Sequence, residues 1–147
     1  MPPRVLIIAF GNPLRSDDGV AWHVASQFEK EFAASEITVV CVHQLTPELA
    51  ESAARAEKVI FVDASGSGEP GQVRCSEITG ESLASNFTHW LTPPQLIALA
   101  HSLYNADPRA VIVSVAGENF GHGETLSAAV RGALPQLVQS VAALVNS

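Results

Sequence analysis

The chain has 147 residues, 47% of them hydrophobic, and a formal net charge of −7. That suits one domain with a substantial core and excludes intrinsic disorder. The acidic balance argues against nucleic acid or an anionic membrane surface as partner, because both need a basic patch.

Val5–Phe10 (VLIIAF) is a short, wholly apolar, β-branched run, the pattern of a strand buried on both faces of a parallel sheet. Gly11, Asn12 and Pro13 supply a turn. A helix is expected from Asp17 or Asp18 to about Phe32, because Val20, Val24, Phe28 and Phe32 recur every four residues beside Ala21 and Ala25. Ile37–Val42 (ITVVCV) reads as a second strand. Thr46, Pro47 and Glu48 then read as a helix start, with Thr as cap and Pro at the first helical position. Leu49, Ala53 and Ala56 give that helix its apolar stripe. Residues 59–62 (VIFV) make a third strand that ends at Asp63, and residues 64–71 (ASGSGEPG) a loop. Residues 72–78 alternate enough for an extra strand at an edge. Thr92, Pro93 and Pro94 open a helix that runs to about Tyr104 through Leu96, Leu99, Ala100 and Leu103. Residues 110–115 (AVIVSV) are another buried strand, residues 117–123 (GENFGHG) a loop, and residues 126–145 a last helix that Pro135 should kink or split.

Strands and helices alternate, so the expected fold is a single α/β domain, residues 1–147, doubly wound and hydrolase-like. Its central sheet should have about five strands, mostly parallel, with helices on its faces. Cys41 and Cys75 both lie in apolar, β-like runs and read as buried free thiols. No window approaches 18 uninterrupted apolar residues, and no apolar leader opens the chain. A soluble cytoplasmic protein, acting as a monomer, is the expectation.

Several motifs fail on context. Residues 66–71 (GSGEPG) match a dinucleotide fingerprint by letter, but Pro70 and the strand-like QVRCSEI follow where a helix must open. ASGSG lacks the leading Gly of a nucleophile elbow. The two cysteines lack metal-ligand spacing. His122 and Glu124 have no accompanying P-C-x-x-C.

One constellation survives. In an open α/β sheet, ligands bind beyond the carboxyl ends of the strands, where the strand order reverses. If strands one and three flank that point, the loop carrying Asp17 and Asp18 faces Asp63. His89, in the loop before the Pro93 helix, could join them. Two acids and an imidazole make an O/O/N set for a divalent transition ion. Each has a bland alternative: Asp17 or Asp18 as a helix cap, Asp63 as a turn residue, His89 as a packed histidine. His23 and His101 read as helix-surface residues, His43 as the end of strand two, and His122 as a reserve ligand.

The stretch VLIIAFGNPLRSDDGVAWHVA resembles the opening of the NiFe-hydrogenase maturation endopeptidases: an apolar strand, G-N-x-L-x-x-D-[DE]-G-x-G, then a helix. KVIFVDAS resembles their third strand, and VAGENFGHGETLS fits their late segment, so the likeness covers nearly the whole chain. It implies an endopeptidase that removes the C-terminal extension of a hydrogenase large-subunit precursor after nickel insertion. The nickel is supplied by that precursor, with another divalent transition ion as the alternative. Carried over by position, the resemblance makes Asp18, Asp63 and His89 the metal-engaging set. Asp17, beside Asp18, is the further catalytic candidate, orienting the attacking water or serving as base, with a helix cap as its plain alternative.

The chain departs from the family where Thr92-Pro93-Pro94 stands in place of Ser-Pro followed by the usual His. It departs again at VHQLTPEL, with His43 and Gln44 in place of an Asp-Gly-Gly-Thr-like segment, and at Ala21 or Trp22, in place of the motif's last Gly. Two other functions compete: a non-catalytic, metal-centre-binding assembly module of the same fold, and a small-molecule or nucleotide-binding domain using the GSGEPG loop.

Overall fold

Short β-branched runs pair side by side, and the three central ones are buried on both faces. The strands are β1 (Val5–Phe10), β2 (Ile37–Val42), β3 (Lys58–Ser65), β4 (Val73–Glu77) and β5 (Arg109–Ala116), in the spatial order β2-β1-β3-β5-β4. All pairings are parallel except that of β4, which lies antiparallel to β5 at the edge. The computed structural model describes residues 4–32, 34, 36–78 and 91–147.

Helices α1 (Val20–Phe32) and α4 (Ala128–Val145) cover one face, and α2 (Leu49–Arg55) and α3 (Pro93–Tyr104) the other. The period of two along each strand divides the core between them. Val5, Ile7 and Ala9 of β1 join the α1/α4 cluster, while Leu6 and Ile8 join the α2/α3 cluster. β3 divides likewise, with Ile60 and Val62 on one side and Val59 and Phe61 on the other. Each such large side chain contributes about 1.5–3 kcal/mol by burial.

Chain direction follows from this division. β1 leads outward through α1 to β2. β2 returns past β1 through α2, on the opposite face, to β3. The order therefore reverses between β1 and β3, as expected.

Boundaries differ in instructive places. Residues 46–48 form a turn rather than a first helical turn. Leu49 N donates to Thr46 O and Ala50 N to Pro47 O, and α2 starts at Leu49 with no side-chain cap bond. β3 continues past Asp63 to Ser65, because β5 pairs with it through Ala116. α4 runs through Pro135 as one element. The carbonyl that Pro135 leaves without a partner belongs to Arg131, and both residues are exposed, so water can take it. Both cysteines are free, but Cys41 is only half-buried and Cys75 is exposed; among the described residues β4 lies at the sheet edge, paired with β5 alone. Leu103, expected on the apolar face of α3, is 61% exposed, while Ile97 is buried in its place. Among the described residues, α4 alone is long and apolar enough to cross a membrane. Val130, Leu137, Val138 and Val141 bury its inner face against the core.

Candidate metal-reading site at the β1–β3 crevice

β1 leaves the sheet through a turn that folds back on itself. Gly11 has φ +144°, and a Cβ there would overlap the Asp18 carbonyl oxygen. A Cβ on Gly19 would lie 2.7 Å from Pro13 Cα. Only glycine permits either approach. Asn12 N donates to Asp18 Oδ2 at 2.8 Å, and Leu14 N donates to Asn12 Oδ1 at 2.9 Å. A 3-10 turn, Ser16–Gly19, then runs straight into α1. The Asp18 carboxylate is thus placed by a main-chain donor six residues before it.

Asp63 reaches the same crevice from β3. Strand alternation puts it on the α2/α3 face, one step beyond Phe61 toward the carboxyl edge. Burial pushes its carboxyl up; the Ala64 N–H offsets part of that, and the charge of Asp18 adds to the rise, giving a pKa of about 7 against the ordinary 3.8. Two carboxylates near enough to repel, one of them held partly out of water, form a site short of positive charge. A proton relieves that shortage, and so does a cation with carboxylate ligands.

Among the described residues, no group of three His, Cys, Asp or Glu side chains is close enough to hold a metal ion. His89 lies outside the described residues. Only four residues separate α3 from β5. The C-terminal end of α3 therefore sits at the amino edge of the sheet, and its first turn points back to the carboxyl edge. That turn is fixed by a capping box: Gln95 N donates to Thr92 Oγ1 and Thr92 N donates to Gln95 Oε1. His23, His101 and His122 are exposed. His43, also exposed, follows the end of β2 with its ring centroid 5.5 Å from that of Trp22, whose Nε1 donates to Gly11 O at 3.0 Å. None of these histidines joins the acid pair. The GSGEPG loop leads into β4 and not into a helix, which is the context a dinucleotide fingerprint needs.

Asp17 parts company with its neighbour. It has no exposed surface. Its Oδ2 accepts from Glu118 N (2.8 Å), Asn119 N (2.9 Å) and Ser127 Oγ (2.8 Å), and its Oδ1 accepts from Ser127 N (2.8 Å). Burial raises its carboxyl, but the donors of Ser127, Asn119 and Glu118 outweigh that and hold the pKa below 3.8. Asp17 holds the N-cap of α4, Ser127, whose own hydroxyl accepts from Val130 N. Sequence reasoning missed Ser127, because nothing local links positions 110 residues apart. The available signal was an acid pair followed much later by Ser at a helix start.

No family model matches the chain, and no curated protein matches it. Solved structures do. Hydrogenase maturating endopeptidase HybD from E. coli superposes with a TM-score of 0.78 at 21% identity, covering 97% of this chain and 92% of that one. The [NiFe] hydrogenase maturation protease HycI from Thermococcus kodakarensis KOD1 gives 0.77 at 20% identity, over 98% and 93%. The fold is that of the NiFe-hydrogenase maturation proteases. An uncharacterized protein from Wolinella succinogenes shares it too, with a TM-score of 0.66 at 22% identity, over 97% of each chain.

Proposed function

We propose that this chain is an endopeptidase that removes the C-terminal extension of a NiFe-hydrogenase large-subunit precursor, inside the cell and as a monomer. Asp18 and Asp63 engage the nickel that the precursor carries, and His89 serves as their third donor. The supporting observation is the Asp63 carboxyl at the end of β3, raised to about 7 by burial and, after it, by the charge of Asp18. The precursor's nickel centre is a cation that such a pair lacks, and the maturation-protease fold supplies the context.

The chain's own residues have clear tasks in this reading. Asn12 N holds one oxygen of Asp18, so the carboxylate is oriented before the substrate arrives. Asp63, with a pKa of about 7, carries a proton in part of the empty molecules near neutral pH and gives it up as the nickel seats. Cleavage should therefore be sensitive to whether nickel is present in the precursor. A metal ion beside the scissile carbonyl polarises it and favours attack by water.

The test is mass-spectrometric. Asp18→Ala, Asp63→Ala and His89→Ala should each lower cleavage of a nickel-loaded precursor by roughly 100-fold or more, with unchanged far-UV dichroism. Full activity in His89→Ala removes it from the donor set. Tight binding of the precursor without any shortened product identifies a non-catalytic assembly module instead.

A further inference from the structure

We infer that Asp17 is a positioning residue: its buried carboxylate locks residues 117–127 onto the β1–α1 turn and thereby fixes the placement of Asp18. This rests on the reading of Asp18 as the group that engages substrate.

Two segments far apart in sequence are bound along their length. Ser16 N donates to Gly123 O, Gly123 N to Leu14 O, and Asp17 N to Asn119 O, at 2.8–3.0 Å. Arg15 Nε donates to Phe120 O and Ser16 Oγ to Gly121 O. Asp17 adds four bonds through its side chain, the most of any residue in the seam, and joins the amides of Glu118 and Asn119 to the amide and hydroxyl of Ser127, the N-cap of α4.

The seam also holds a strained residue. Ser16 has φ +52°, a conformation that a non-glycine side chain adopts only when its surroundings impose it. Ser16 precedes the acid pair directly. Releasing the clamp lets it relax toward an ordinary φ, which turns the peptide planes that follow and carries Asp18 away from Asn12 N. A misplacement of about 1 Å at a reacting centre can lower a rate by roughly 100-fold. A base or water-orienting role for Asp17 finds no support here, because the side chain meets no solvent and both of its oxygens are engaged.

The test uses the full chain with Asp17→Asn, and Ser127→Ala as a milder variant that removes one donor to Asp17 together with the α4 cap bond to Val130 N. Precursor cleavage is followed well below each variant's Tm. Asp17→Asn should lower kcat by roughly 10–100-fold with little change in KM, and Ser127→Ala by about two- to fivefold. The shape of the pH–rate profile should not change. Wild-type rates in folded Asp17→Asn would reduce the clamp to a purely structural role and overturn the inference. Loss of one limb of the profile would overturn it in favour of a base.

A readout independent of cleavage is the Asn12 amide resonance, since Asn12 N bonds to Asp18 and not to Asp17. It should move in Asp17→Asn. An unmoved Asn12 overturns the positioning role whatever the activity. A moved Asn12 in a protein whose wild type cleaves nothing upholds it and rejects the protease reading instead.

Discussion

At the scale of single residues, Asp17 and Asp63 respond to pH in opposite senses. Asp63 ionises near 7 in the folded chain and near 3.8 ordinarily. Between those values the folded state keeps a proton that the unfolded chain has released. Its contribution to stability is therefore largest below about 3.8 and declines as pH rises toward about 7. Asp63→Asn should remove that decline. Relative to wild type it should gain roughly 1–3 kcal/mol at pH 8, read from urea unfolding across the pH range; equal stability at pH 8 would deny the ionisation cost. Asp18→Asn should lower the Asp63 carboxyl pKa, measured by carbon NMR, because it removes the like charge.

Asp17, held below 3.8, stabilises fully above its ordinary value. That stabilisation is lost as pH falls through its lower, folded value. Asp17→Ala leaves amide and hydroxyl donors buried without an acceptor. It should cost about 3 kcal/mol at pH 7, seen as a Tm lower by roughly 10 °C.

At the scale of elements, the turn after β1 and the first turn of α3 carry the local chemistry. Gly11→Ala puts a Cβ onto the Asp18 carbonyl. It should destabilise by about 2–4 kcal/mol and depress cleavage more than its Tm change accounts for. Thr92→Ala removes one half of the α3 capping box and should cost about 1 kcal/mol in chemical unfolding.

These elements also show what a sequence makes legible. VLIIAF, ITVVCV and the Thr92-Pro93-Pro94 start were readable because the information is local: β-branched runs, a cap and a proline at its preferred place. The start of α2 was not, because Thr46-Pro47 makes a good turn as well as a good cap. The exposure of Cys75 depends on β4 having one neighbour rather than two, a property of the sheet and not of the strand. The clamp on α4 needed the approach of residues 17 and 127, which no periodicity encodes.

At the scale of the whole molecule, topology brings the acids together. α1 and α2 pack on opposite faces, so the strand order reverses between β1 and β3, and the loop holding Asp18 opens toward Asp63. Expecting the crevice there needed only the rule for doubly wound sheets. Knowing that the Asp63 carboxyl is raised, by burial first and by the charge of Asp18 after it, needed the structure, since the effect depends on burial at the end of β3.

The charge shortage in that crevice ties the fold to its proposed task, and nickel dependence probes it most directly. Purified protein is incubated with the large-subunit precursor, nickel-loaded in one arm and nickel-free in the other, and the products are weighed by mass spectrometry. Wild type should shorten only the nickel-loaded precursor, and Asp63→Ala should shorten neither. Equal cleavage in both arms, or cleavage by Asp63→Ala at the wild-type rate, would contradict the assignment of this acid pair as a nickel-engaging site.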